Sequence, residues 1–135
     1  MHTKGELLMP ARILCVEDNP QNMRLVRKML FSAGYEVIEA VDGASGFAAA
    51  QEMPDLILMD VNLPDVDGLE VTAQIKANPD LAHIYIIALT ANAMHGDRER
   101  CLAAGCDGYL PKPVTKSELL STIGHFLNQT ERKHA

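Results

Sequence analysis

Residues 56–60 read LILMD, four apolar side chains closed by a carboxylate, and the loop VNLPDVDG follows at 61–68. A strand with one wet face would alternate apolar and polar residues. This run does not alternate, which is the pattern of a strand covered on both faces by helices, as in a parallel α/β sheet. The neighbouring runs repeat it. RILCV at 12–16 is followed by Glu17 and Asp18, and IYIIAL at 84–89 by Thr90. EVIEA at 36–40 and the short GYL at 108–110 read as two further strands, the last followed by Pro111 and Lys112.

Helical patterns fill the gaps. From Pro20, a stripe at Asn22, Leu25, Val26, Met29, Leu30 and Ala33 predicts an amphipathic helix that ends at Gly34 and leaves Met23 off the core side. Further helices are expected over 43–53, stopped by Pro54; over 69–77, broken by Asn78 and Pro79; over 93–104, ended by Gly105; and over 116–127, capped by Thr115. Five βα units in a row with right-handed crossovers make a doubly wound sheet. Proline in the fifth strand has no ladder donor, so that strand is expected at an edge.

The 135 residues suit one domain, and 47% apolar content supplies its core. We expect an extension at 1–8, the folded domain at 9–128 and a polar, fraying tail at 129–135; no output domain is visible, so the chain reads as either a stand-alone protein or a piece of a larger one. A net charge of −6 without any Lys/Arg run argues against nucleic acid. No apolar stretch nears the roughly 18–20 residues that span a membrane. Cys15, Cys101 and Cys106 form no CxxC pair and read as reduced thiols of a cytoplasmic protein. The five histidines are scattered without ligand spacing. The methionines, Met53 among them, sit mostly at packing positions. Met23 is read as an exposed side chain near the acidic strand ends, either a docking surface or a stray surface methionine.

In an open parallel sheet the C-terminal strand ends share one edge, where ligands bind. Glu17, Asp18, Asp60, Thr90 and Lys112 should therefore converge. Three carboxylates against one ammonium repel unless a cation lies between them. Oxygen ligands without His or Cys select a hard ion, and a site open to water and phosphate suits Mg2+. Such a site fits phosphoryl transfer, with Asp60 as nucleophile, Glu17 and Asp18 holding metal, and Thr90 and Lys112 touching phosphoryl oxygens.

The segments ILCVEDNPQN, LILMDVNLPDVDG, IIALTANA and GYLPKPV together resemble the CheY-like receiver domain of two-component response regulators. The resemblance spans residues 11–127. It implies a flavodoxin-like five-stranded parallel sheet in the order 2-1-3-4-5. It also implies Asp60 as phosphoacceptor, Glu17 and Asp18 as the acidic pair, and the backbone carbonyl of Asn62 as a metal ligand. Thr90 becomes the switch hydroxyl, Tyr109 the switch aromatic, Lys112 the phosphate-binding lysine, and the bond before Pro113 is cis. Asn19 and Asn22 give the first motif a form similar to receivers of hybrid histidine kinases and single-domain regulators.

The implied function is a switch rather than an enzyme acting on free substrates. It takes phosphate from a histidine kinase or histidine phosphotransfer protein and slowly releases it, with Asn62 and Asn92 beside the attacking water. Thr90 would move toward phosphate and Tyr109 swing inward, reshaping a partner face on helix four, strand five and helix five that includes Met94, His95, Arg98 and Leu102. The protein would be a monomer or weak homodimer. A haloacid-dehalogenase-type phosphatase is the enzyme alternative, but it needs a second Asp where Asn62 stands. A flavin-binding module would need a Gly-rich loop where Asp18, Asn19 and Pro20 stand.

Overall fold

Strands β1 (Arg12–Val16), β2 (Glu36–Ala40), β3 (Leu56–Asp60), β4 (Tyr85–Thr90) and β5 (Gly108–Pro111) pair in parallel in the order β2-β1-β3-β4-β5. The structure, a computed structural model, describes residues 10–91 and 96–134, with side chains for 10–91 and 96–128. The helices are α1 (Pro20–Ser32), α2 (Gly43–Ala50), α3 (Gly68–Ala77), α4 (Asp97–Ala104) and α5 (Lys116–His134). This is the flavodoxin-like sheet expected from the sequence, with β5 and its Pro111 at the edge.

Alternate side chains of each strand go to opposite faces, and both faces are dry. Leu14, Val16, Ile57, Met59, Ile86 and Ala88 pack under α2, α3 and α4, against Ala50, Val71, Ile75 and Cys101. Ile13, Cys15, Leu56, Leu58, Ile87 and Leu89 pack under α1 and α5, against Met23, Val26, Leu30, Leu119 and Ile123. This is why the runs do not alternate: each position has a helix above or below it. A fully buried Leu or Ile contributes about 1.5–3 kcal/mol of transfer free energy, so the central strands hold the strand-end side chains on a firm base.

Side-chain caps set where the helices begin. Asn19 Oδ1 accepts the N–H groups of Gln21 and Asn22 at 2.9 and 3.0 Å. Asp42 and Ser45 form a reciprocal capping box on α2, Asp67 accepts from Leu69 at 2.8 Å, and Thr115 caps α5 through the Glu118 N–H at 3.1 Å.

Helix α1 departs from the predicted phase. Val26 and Leu30 belong to both readings, but Met23 completes the core stripe and is 5% exposed, whereas Leu25 is 48% exposed. The predicted and observed stripes share Val26 and Leu30 but differ in rotation about the helix axis, and the sheet decides between them. The exposed apolar side chain of α1 beside the strand ends is thus Leu25, not Met23. Helix α2 stops at Ala50 rather than 53. The Arg12 guanidinium takes the Glu52 carbonyl at 2.8 Å, and Met53 turns into the left-handed region at φ 61. Met53 is exposed rather than packed. Helix α4 starts at Asp97 after a left-handed Gly96, and the expected positions 93–95 lie outside the described residues. The α5 backbone continues through the polar segment to His134. The expected extension at 1–8 also lies outside the described residues.

Candidate functional site

Sheet register brings the strand-end groups together. Val16 pairs with Met59, so Glu17 and Asp60 emerge side by side. Asp60 pairs with Leu89 and Thr90 with Pro111, which sets Thr90 and Lys112 next along the same edge. Lys112 N–H donates to the Thr90 carbonyl at 2.8 Å, and its bond to Pro113 is cis, as expected. Its ammonium then reaches back to 3.1 Å from Asp60 Oδ2 and 3.2 Å from Glu17 Oε1.

Carboxylate oxygens of Glu17, Asp18 and Asp60 lie within 4.8 Å of one another. Asp60 and Glu17 are buried and Asp18 is open to solvent. Glu17 Oε2 accepts the Asn19 N–H at 3.1 Å. Its Oε1 is buried without a hydrogen-bond donor among the described residues, although the Lys112 charge lies beside it. Burial pushes the Glu17 carboxyl above the usual range; the Asp60 charge adds to this, while the Asn19 N–H and Lys112 oppose it. Burial alone would lower the Lys112 pKa, but the Asp60 and Glu17 charges together hold it above its ordinary value. Three carboxylates facing one ammonium, one of them with an orphaned oxygen, fit a small hard cation.

The loop after β3 is fixed at several points. Asn62 N–H donates to Asp60 Oδ1 at 3.0 Å, and Asn62 bridges to Asp67. Asp65 accepts from Gly43 and Ala44 at the start of α2, at 2.8 and 3.0 Å. Gly68 sits so close that a Cβ there would fall 2.0 Å from the Asp60 carbonyl oxygen. Any side chain at 68 would drive the loop off the strand.

A family model for the response regulator receiver domain matches residues 13–124. The chain belongs to that family. The receiver is 45% identical over 120 residues to the polar-differentiation response regulator DivK of Brucella anthropi, covering 88% of this chain and 98% of the relative. The receiver domain of a sensor histidine kinase from Pseudomonas aeruginosa, solved with a magnesium ion coordinated in its active-site cleft, is 42% identical. It superposes with a TM-score of 0.83 over 88% of this chain and 98% of that one. A CheY-like receiver from Methanospirillum hungatei is 31% identical, with a TM-score of 0.82 over 92% and 98% of the two chains.

Of the predicted site residues, the receiver gathers Glu17, Asp18, Asp60 and Lys112 in one cluster, with Asn62 bonded to it. Thr90 is at the same edge, but its buried hydroxyl donates to the Asp97 carboxylate. Tyr109 is half-buried and already packs against the core beneath α4. Arg98 and Leu102 lie exposed on α4, while Asn92, Met94 and His95 fall outside the described residues. Sequence reading missed Asp65, Asp67, Asp97 and Arg100. Asp97 and Arg100 carried the one available signal, an acid and a base three apart after a glycine.

Beside the carboxylate cluster, a cleft of about 270 Å³ opens between α1 and the segment after β5. Asn22, Leu25, Val26, Leu89, Pro113 and Val114 line it together with Glu17 and Lys112 of the cluster.

Proposed function

We propose that this receiver takes a phosphoryl group from a phosphohistidine onto Asp60, with Mg2+, and changes shape in response. The observation that carries the reading is the buried Asp60 carboxylate, 3.1 Å from Lys112 and clustered with Glu17 and Asp18. Glu17, Asp18 and Asp60 would hold Mg2+ with the Asn62 carbonyl, and the bound ion supplies positive charge against phosphoryl oxygens. An Asp60 oxygen attacks phosphorus, the P–N bond breaks, and the donor imidazole keeps the electron pair. Lys112 steadies the charge on the phosphoryl oxygens throughout. Return to rest is hydrolysis: water attacks phosphorus, the P–O bond to Asp60 breaks, and the carboxylate is restored. Asn62 stands two residues after Asp60, where a phosphatase of the dehalogenase type needs an acid, so the enzyme alternative finds no support.

The donor would be a histidine kinase or phosphotransfer protein. Its histidine-bearing helix would lay an apolar side in the cleft at Leu25 and Pro113, next to the acceptor. Output would leave through α4, β5 and α5, with Tyr109 moving inward and the receiver acting as a monomer or weak homodimer. Three buried free thiols suit the cytoplasm. Among the described residues, no helix is long and apolar enough to cross a membrane.

The test is labelling by a small phosphodonor with Mg2+. One base-labile phosphate per chain is expected, lost in Asp60→Asn and suppressed by EDTA. Equal labelling of the Asn variant would overturn the assignment.

A further inference from the structure

Thr90 has one hydroxyl proton, and in this structure it is given to Asp97 Oδ2. Asp97 is 4% exposed at the first turn of α4. Its other oxygen accepts from Arg100 at 2.7 Å, and the same guanidinium reaches Asp67 Oδ2 at 3.1 Å. Asp67 in turn caps α3, the helix that abuts the Asp60 backbone through Gly68. The buried threonine is therefore tied, through one carboxylate and one guanidinium, to the far wall of the acceptor loop.

A phosphoryl group on Asp60 needs the same proton, because a hydroxyl donates to one acceptor at a time. We propose that Asp97 is a positioning residue that holds Thr90 in the resting state and competes with the phosphoryl group for its hydroxyl. Arg100 keeps the carboxylate in place, and Asp67 ties Arg100 to α3. When Thr90 turns to phosphate, Asp97 Oδ2 gives up the threonine hydroxyl while Oδ1 keeps Arg100. The first turn of α4 then has reason to move or admit water. The response face is thus coupled to the acceptor through Asp97, separately from any movement of Tyr109. The inference rests on the phosphoacceptor reading above.

Beryllofluoride with Mg2+ is the probe, titrated into the full chain by calorimetry, with NMR spectra confirming the fold of each variant. Asp97→Ala should bind beryllofluoride about fivefold or more tightly than wild type, the lower end of ordinary coupling energies. Asp97→Asn, which keeps the shape, should also bind more tightly. In a Thr90→Val background the gain from either substitution should disappear, which loss of a merely structural contact would not produce. Unchanged or weaker binding by folded Asp97→Asn overturns the proposal, as does a full gain that persists without the Thr90 hydroxyl. If wild type itself fails to bind beryllofluoride, the phosphoacceptor reading falls and this inference with it. Normal wild-type binding with silent Asp97 variants sinks the inference alone.

Discussion

The two walls of the pocket both carry more acids than bases, but they are paired differently. On the acceptor wall, three carboxylates share one ammonium, and among the described residues the buried Glu17 Oε1 has the Lys112 charge beside it but no hydrogen-bond donor. On the response wall, Asp97 and Asp67 share Arg100, and the Thr90 hydroxyl is already engaged. One wall is short of positive charge, which suits the cation and the phosphoryl group proposed for it. On the other, the Thr90 hydroxyl and the Arg100 guanidinium are engaged, so under the proposal above a signal would have to break a bond there first.

The sharpest way to break this contrast is to remove the single cation from each wall. Lys112→Ala should slow labelling of Asp60 by about 100-fold, the loss typical of one charge-stabilising donor. Arg100→Ala, which touches only the response wall, should change the labelling rate by less than about tenfold. Single-turnover labelling with a small phosphodonor measures both. Equal losses would mean that the walls are not distinct.

Metal linkage sharpens the comparison at a smaller scale. At 100 times its dissociation constant, Mg2+ should stabilise the wild-type fold by about 2.7 kcal/mol. Glu17→Gln should lose most of that gain, while Asp97→Asn should keep it. Urea unfolding with and without Mg2+ reads the difference, and a metal-dependent gain that survives Glu17→Gln would remove Glu17 from the ligand set.

The smallest expected effect lies at Asp65, between the walls and α2. The N–H groups of Gly43 and of other backbone positions at this loop hold its carboxyl below the ordinary 3.8. The folded state therefore binds that proton less readily than the unfolded chain. The advantage of wild type over Asp65→Ala should be complete above about pH 4. It should vanish as acid carries the protein through the lowered folded value. Urea midpoints of the two proteins over a pH series test this, and a gap that widens in acid would show the sign to be wrong.

The acceptor wall was legible in the sequence because its chemistry sits directly after apolar runs. Glu17, Asp18, Asp60 and Lys112 each follow a strand, and parallel pairing does the rest. The response wall was legible only at Thr90. Asp97 and Arg100 lie on a helix whose start depends on Gly96 in a left-handed conformation, and local sequence leaves its rotation open. The phase of α1 was hidden for a related reason: Met23 and Leu25 are both apolar, and only the sheet decides which faces it. The Arg12 bonds that accompany the end of α2 join residues 40 positions apart, beyond any periodicity.

Gly68 leaves a mechanical consequence. With room for no side chain between α3 and the Asp60 carbonyl, the acceptor's backbone is wedged against a helix end on one side and bonded into the middle of the sheet on the other. Bulk added to the Asp60 carboxylate therefore finds a stiff mount beneath it and presses outward, as a jack does on firm ground. Across the gap, at the end of β4 and the first turn of α4, stand the Thr90 hydroxyl and its Asp97 partner, where the proposed exchange of bonds would take place. The direction in which this molecule yields is set by the place where it cannot.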